Sequence, residues 1–203
     1  MDVLYSSDFL SKVSDVSLQI RAEYSEKLEQ AIDLLFEAWK NGKWVYIMGN
    51  GGSASTATHL VADLSKTICE SPSDKGLKTM SLFDNPPLVS ASINDWGWEN
   101  LYVNQLSTFY EHGGLGIAIS VHGGNGKDLS VQWSQNILKG LQYIKDHGGK
   151  TIGLSGFDGG AMKNIVDISI IVPAESTPMV EGMHAVLAHL IVFGLKEKIH
   201  NHK

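Results

Sequence analysis

The sequence is poor in cysteine and arginine, and each shortage argues against a class of protein. Cys69 is the only cysteine in 203 residues. No disulfide can therefore form within the chain, and we expect a reducing, cytoplasmic location. Arg21 is the only arginine, and the formal net charge is −6. Because nucleic-acid binding normally needs a Lys/Arg-rich face, we expect no nucleic-acid partner.

Long apolar runs and linker-like segments are also scarce. We find no stretch that approaches the roughly 20 apolar residues of a membrane span, so we expect no membrane partner. The N-terminal segment lacks a basic region followed by an apolar core, which is the pattern of a secretory signal. The five prolines form no proline-rich linker, and we expect one domain over residues 1–203.

Short apolar runs alternate with longer segments of helical periodicity. The predicted strands are 44–48, 79–83, 115–120, 151–155 and 168–172. The predicted helices between and after them are 54–68, 98–110, 127–147 and 178–199, and an amphipathic segment at 8–40 predicts an N-terminal helical extension. This alternation is typical of an α/β fold with a doubly wound, five-stranded parallel sheet covered on both faces.

A glycine-rich turn follows the first predicted strand and carries the strongest functional signal. Asn50, Gly51, Gly52 and Ser53 lie between that strand and a helix, where backbone N–H groups and the helix N-terminus favour a phosphate. Further along the same helix, His59 and Asp63 are four residues apart and therefore share a face. This combination indicates chemistry on a phosphorylated small molecule.

Two more glycine-containing loops follow predicted strands, at 122–126 and 155–160. All three loops should emerge at the carboxyl edge of a parallel sheet, which is where such sheets bind ligands. A single loop of this kind could be only a turn that needs positive φ. Three on one edge favour a shared pocket.

The last predicted helix contains Glu181, His184 and His189. Glu181 and His184 share a helix face, whereas His189 matches that face more loosely. A histidine in so apolar a segment can be a core residue or a ligand. A metal site requires three or four convergent ligands, and therefore requires this helix to meet helix 54–68.

Five motifs in order resemble the sugar isomerase (SIS) domain family, in particular bacterial phosphoheptose isomerases. They are GNGGSAS…HLVADL, NDWGWEN, the loop after predicted strand 115–120, SGFDGG and EGMHAVLAHL. The resemblance covers nearly the whole chain. It implies a flavodoxin-like SIS fold, a homotetramer, and isomerisation of sedoheptulose 7-phosphate to a heptose 7-phosphate. In such a tetramer, Leu28, Leu35 and Trp39 of the N-terminal helix are expected to contact other subunits as well as their own sheet.

The resemblance also implies roles for individual residues. His59, Asp63, Glu181 and His189 fall at positions that hold a zinc ion in the family, and Asp63 and His189 double as catalytic base and acid. The residues expected to bind substrate and its phosphate are Asn50, Gly51, Gly52, Ser53, Asp95, Ser120, His122 and Asn125.

Several residues depart from the family pattern. Asp63 replaces a glutamate, Glu181 replaces a glutamine, and Thr67 stands where many relatives have an arginine. The 120–126 loop has lost most of its hydroxyl donors, and His122 could supply a donor or a positive charge instead. Two alternatives therefore stay open. One is an isomerase of another sugar phosphate, and the other is a non-catalytic SIS protein that senses a sugar phosphate or binds a replication initiator.

Overall fold

The computed structural model describes residues 4–124 and 133–202. Its centre is a five-stranded sheet made of β1 (Trp44–Gly49), β2 (Lys78–Ser81), β3 (Leu115–Ser120), β4 (Lys150–Ser155) and β5 (Ile168–Ile171). The strand order is β2-β1-β3-β4-β5, and every pair is parallel. The predicted five-stranded parallel sheet is confirmed. The chain crosses from one side of β1 to the other after β2, which places the topological switch point between β1 and β3.

Seven α-helices surround the sheet in the described residues. They are α1 (Tyr5–Lys40), α2 (Gly52–Ala62), α3 (Pro86–Trp96), α4 (Leu101–Phe109), α5 (Gln135–Asp146), α6 (Met162–Ile165) and α7 (Thr177–His200). The predicted N-terminal helical extension is confirmed as α1. A π-helical turn, Asp63–Thr67, continues α2.

The structure differs from the predicted helices at three places. Helix α3 was not predicted, although Asn85 caps it by accepting a hydrogen bond from the Leu88 N–H at 3.2 Å, and Pro86 occupies its first position. Short α6 was also missed. The predicted helix at 127–147 begins only at Gln135, after Ser134 in a left-handed conformation (φ 53°), and residues 127–132 lie outside the described part.

Alternate residues of the strands face two different cores. On β1, Val45 and Ile47 face the cluster built with α1, α2 and α7. Tyr46 and Met48 face the cluster on the other side, which includes residues of α3, α4 and α5. Covering both faces buries the three central strands β1, β3 and β4 almost completely, which explains why they are mainly apolar.

Helix α7 is more apolar than the sequence analysis allowed. By length and composition it could cross a membrane, which corrects the expectation that no such segment occurs. Half of its most apolar 18-residue window is buried inside the protein, where Leu187, Ile191 and Leu195 join the core beside α1. A core helix meets the same compositional test, so the evidence for a membrane span is weak.

The three α1 residues expected at a subunit contact lie against their own chain. Leu28 and Leu35 are buried in the core. Trp39 packs on that core, and its indole N–H donates a hydrogen bond to the Lys75 carbonyl at 2.8 Å. The exposed apolar residues of α1 are nearer its N-terminus and include Leu10 and Leu18.

Candidate active site

A cleft of about 330 Å³ opens at the carboxyl ends of β1 and β3, beside the switch point. Four of the predicted binding residues line it, namely Asn50, Ser53, Ser120 and His122. They come from the loop after β1, the start of α2 and the loop after β3. Chain topology therefore brings two of the three glycine-containing loops to one pocket.

The remaining predicted binding residues are placed differently. Gly51 and Gly52 form the turn into α2, and Gly51 has a φ of 54° that suits glycine. Asp95 is exposed near the end of α3, accepts a hydrogen bond from the Asn94 side chain at 2.8 Å, and does not line the cleft. Asn125 lies outside the described residues.

The Asn50 side chain is held by residues that the sequence analysis did not identify. Asn50 and Asn136 exchange two amide hydrogen bonds, at 3.0 and 2.9 Å. The Tyr102 hydroxyl donates to the Gly49 carbonyl at 2.6 Å and to Asn50 Oδ1 at 3.1 Å. Burial raises the pKa of Tyr102, so this hydroxyl stays protonated as a donor. No local sequence signal links these residues, because Asn136 is 86 positions from Asn50.

Glu181 lies in this cleft, at the N-terminus of α2. Its Oε1 is 2.5 Å from the point where a Cβ on Gly52 would stand, and it lines the cleft with Ser53. A carboxylate is electrostatically favoured at a helix N-terminus. The first-turn N–H groups of Ser53 and Ala54 also donate within the turn, to the carbonyls of Asn50 and Gly51. The N-terminus of α2 therefore already has the Glu181 carboxylate beside it, and two of its N–H groups already have carbonyl acceptors.

His59, Asp63 and His189 form a second cluster further along α2 and α7. Asp63 Oδ2 is 3.4 Å from His59 Nε2 and 3.6 Å from His189 Nε2. One possible ligand atom from each residue lies within 4.8 Å of the others. The three residues border a cavity of about 170 Å³ between the two helices. Helices α2 and α7 correspond to the predicted helices 54–68 and 178–199, and they approach each other as a metal site between them requires.

Two α7 residues named in the sequence analysis lie outside this cluster. Glu181 precedes His189 by eight residues, a rise of about 12 Å along a helix axis, and it is not part of the three-residue group. His184 is buried, and this burial lowers its pKa to about 4. It is a neutral core histidine at physiological pH.

Thr67 orients the Asp63 carboxylate. The π-helical turn places the Thr67 hydroxyl 2.8 Å from Asp63 Oδ1, to which it donates a hydrogen bond. Oδ2 is left to face the two histidines. The sequence analysis identified Thr67 as a departure from the family pattern, in which many members have an arginine at this position.

The donor set of the cluster fits a divalent transition metal. Two imidazole nitrogens and one carboxylate oxygen are the protein ligands of many catalytic zinc sites, which keep a fourth position open. Both histidine side chains are about half exposed, at 59% and 48%. A small molecule in the adjoining cavity could therefore reach an open position.

The fold and the cleft define a doubly wound α/β protein with its ligand site at the switch point of the sheet. The chain belongs to the SIS domain family, whose model matches residues 8–156. The phosphoheptose isomerase of Helicobacter pylori (strain P12) is 33% identical over 191 residues, covering 94% of this chain and 93% of that protein. The phosphoheptose isomerase of Geotalea daltonii is 34% identical over 180 residues, covering 89% and 88%.

A solved structure shares the fold. The phosphoheptose isomerase GmhA from Neisseria gonorrhoeae superposes with a TM-score of 0.83 at 20% identity, covering 95% of this chain and 97% of that chain. The predicted SIS fold and the resemblance to phosphoheptose isomerases are both confirmed.

Proposed function

We propose that this protein is a sugar-phosphate isomerase that interconverts a ketose and an aldose phosphate, with sedoheptulose 7-phosphate as its substrate and a bound zinc ion as its cofactor. Membership of the SIS family supports the sugar-phosphate class. Two similar proteins named phosphoheptose isomerase, each matched over most of its length, support the reaction and the heptose substrate.

One observation carries the proposal, which is that Asp63 lies between His59 and His189 at the cavity between α2 and α7. Aldose–ketose interconversion needs a base that removes a proton from the carbon next to the carbonyl. It also needs an acid that protonates the carbonyl oxygen. The Asp63 carboxylate is the base and the His189 imidazole is the acid, and with zinc bound each would act through an atom that the metal does not occupy. The Thr67 hydroxyl holds the other carboxylate oxygen and thereby orients the base.

A zinc ion would be held by His59, Asp63 and His189. When bound, it supplies polarisation of the substrate carbonyl. The family pattern makes Glu181 the fourth expected zinc ligand. Its carboxylate lies in the cleft instead, where it can accept hydrogen bonds from sugar hydroxyls.

The arrangement along α2 and α7 supports a long substrate. Ser53 and Glu181 lie at the cleft end of these helices, and Asp63 and His189 lie further along them. In a ketose 7-phosphate the reacting carbons are at the opposite end of the chain from the phosphate. The phosphate would occupy the cleft, near Ser53, Ser120 and His122, while the reacting carbons approach Asp63.

We further propose that residues 1–203 act as one cytoplasmic domain that assembles into a homotetramer. The continuous five-stranded sheet supports one domain, and the single half-buried Cys69 is compatible with the cytoplasm. On α7, Val186, Leu190 and Phe193 are exposed and recur at helical spacing. Such an apolar stripe supports contact with another copy of the chain.

The test is an isomerase assay on the purified protein with pentulose, hexulose and heptulose phosphates, with metal content measured in parallel. We expect turnover of sedoheptulose 7-phosphate that is lost on chelation and restored by zinc. Turnover of a different ketose phosphate instead would identify that compound as the substrate. Binding of sugar phosphates without any turnover, with zinc supplied, would favour the non-catalytic SIS alternative.

A further inference from the structure

An aromatic wall borders the cleft, and the function proposed above uses neither its tryptophan nor its phenylalanine. We define this wall as the rings of Phe157, His122 and Trp133. The His122 ring centroid is 4.3 Å from that of Phe157 and 4.9 Å from that of Trp133. His122 and Trp133 line the cleft, and Phe157 packs on His122 from the loop after β4.

Close backbone packing fixes the position of this wall. The Gly156 N–H donates to the Val121 carbonyl at 2.9 Å, and the Met162 N–H donates to the Gly123 carbonyl at 2.8 Å. A Cβ on Gly123 would lie 2.1 Å from the Gly159 carbonyl oxygen, a distance that excludes any side chain there. The loops after β3 and β4 therefore pack directly against each other, which holds the backbone of His122 close to that of Phe157.

Trp133 stands at the free end of the wall, with 54% of its surface exposed. Ser134 follows it in a left-handed conformation (φ 53°), and α5 begins at Gln135. The Ser134 hydroxyl is 3.4 Å from that of Ser120. A large apolar ring thus remains partly in solvent at the edge of a cleft whose lining also includes serine hydroxyls and the Glu181 carboxylate.

Beside the phosphate proposed for this cleft, the charges of its lining suit the hydroxyls of a sugar chain. Among its described lining residues there is no lysine or arginine, and Glu181 adds a negative charge. A carboxylate and neutral hydroxyls accept and donate hydrogen bonds to sugar hydroxyls. The negative face of an aromatic ring attracts the weakly positive C–H groups of a sugar chain.

We propose that Trp133, positioned by His122, is a stacking platform for the carbon chain of the sugar phosphate and determines specificity for the sugar part of the substrate. The proposal rests on the function proposed above, and it names the part of the substrate that this wall recognises. Trp133 contacts the substrate, whereas His122 and Phe157 act through it. The described lining of the cleft has no lysine or arginine to bind the substrate. Contacts with the sugar chain therefore provide part of the binding affinity.

The test compares Trp133→Leu with Trp133→Phe, using Trp96→Leu as the matched control. Trp96 is equally exposed, at 55%, and does not line the cleft. We expect Trp133→Leu to raise both the KM and the calorimetric Kd for sedoheptulose 7-phosphate about tenfold, which lies in the range of aromatic contact energies. The kcat should stay within about threefold of wild type. Trp133→Phe should restore binding to within about threefold. The Kd for inorganic phosphate should stay unchanged in both variants.

Other results would overturn the proposal. Unchanged sugar-phosphate binding in Trp133→Leu would show that the ring is not a platform. Equal weakening of inorganic phosphate and sugar phosphate would show an effect on the loop rather than on sugar recognition. Calorimetry separates this proposal from the isomerase function. A wild-type protein that binds without turnover, with binding that depends on Trp133, would refute the isomerase and support the platform.

Discussion

The two oxygens of the Asp63 carboxylate have different neighbours, and this asymmetry defines the chemistry of the site. Oδ1 accepts a hydrogen bond from the Thr67 hydroxyl. Oδ2 faces His59 and His189. The oxygen that faces the cavity is therefore the one available to a proton or a metal.

Substitutions at Asp63 and His189 test proton transfer. Asp63→Asn preserves size but removes the proton acceptor, and His189→Gln removes the imidazole. We expect each to lower kcat by roughly 10²–10⁴, the usual contribution of a positioned general acid or base. KM should change less, because the residues proposed to bind the phosphate line a separate cleft. Steady-state kinetics with sedoheptulose 7-phosphate provides the measurement.

Metal content must be measured in both variants, because both residues are also proposed ligands. A loss of kcat at full zinc occupancy assigns the residue to proton transfer. Full activity in Asp63→Asn would contradict its role as the base.

Thr67 provides a test of carboxylate orientation. Thr67→Val keeps the shape of the side chain but removes the hydroxyl that donates to Asp63 Oδ1. We expect zinc affinity, measured by competition with a chromogenic chelator, to fall about 10–100-fold, which is typical when a partner of a metal ligand is lost. Thr67→Ser keeps the hydroxyl and should bind zinc nearly as wild type. Equal affinity in Thr67→Val and wild type would show that this hydrogen bond does not orient the ligand.

At the scale of elements, α7 places three titratable side chains in three different environments. Glu181 lines the cleft, His184 is buried in the core, and His189 lies beside His59 and Asp63. The helical rotation of about 100° per residue separates these directions. The packing of α7 between α1 and α2 then determines what each side chain meets.

Burial of His184 should make stability depend on pH. Its pKa falls from 6.5 to about 4 on folding because burial disfavours the charged ring. Below pH 6.5 the unfolded chain therefore binds a proton that the folded chain does not. The free energy of unfolding should decrease as the pH falls from about 6.5 to about 4, by a total of about 3 kcal/mol.

Urea unfolding at several pH values, in wild type and in His184→Leu, measures this contribution. A chelator in both samples removes any effect of protons on metal binding. The variant should show a shallower decline in stability between pH 6.5 and 4.5. Parallel curves for the two proteins would refute the assignment.

At the scale of the whole molecule, the apolar face of α7 marks the surface most suited to assembly. Val186, Leu190 and Phe193 are each about half exposed, although neighbouring residues on the same helix are buried in the core. An exposed apolar stripe of this kind is costly in water unless another surface covers it.

Light scattering tests the assembly. At micromolar concentration we expect a mass about four times the 22.1 kDa of one chain. Introducing charges with Leu190→Lys and Phe193→Lys should reduce that mass. Asp146→Lys, on exposed α5 across the sheet, is the control and should leave it unchanged. A 22.1 kDa wild-type species would reject the tetramer.

The fold could be predicted largely from the sequence, because its main signal is local. Each of the five predicted strands overlaps an observed one, since buried parallel strands are short apolar runs wherever they occur. Helix α3 shows the limit of that reasoning. Its Asn-Pro-Pro start is a recognisable helix cap, but we predicted helices from apolar periodicity and therefore missed it.

The sequence by itself determined the parallel sheet, the glycine turn before α2 and the pairing of His59 with Asp63, because each depends on residues close together in the chain. Only the tertiary structure decided that His189 joins that pair, that Glu181 faces the cleft, and that Trp133 ends a wall of contacting rings. These outcomes depend on how helices and loops distant in sequence pack against one another. The pattern of side chains along one helix or strand does not specify its distance from another helix or strand. The packing of the whole chain therefore decides which groups come into contact.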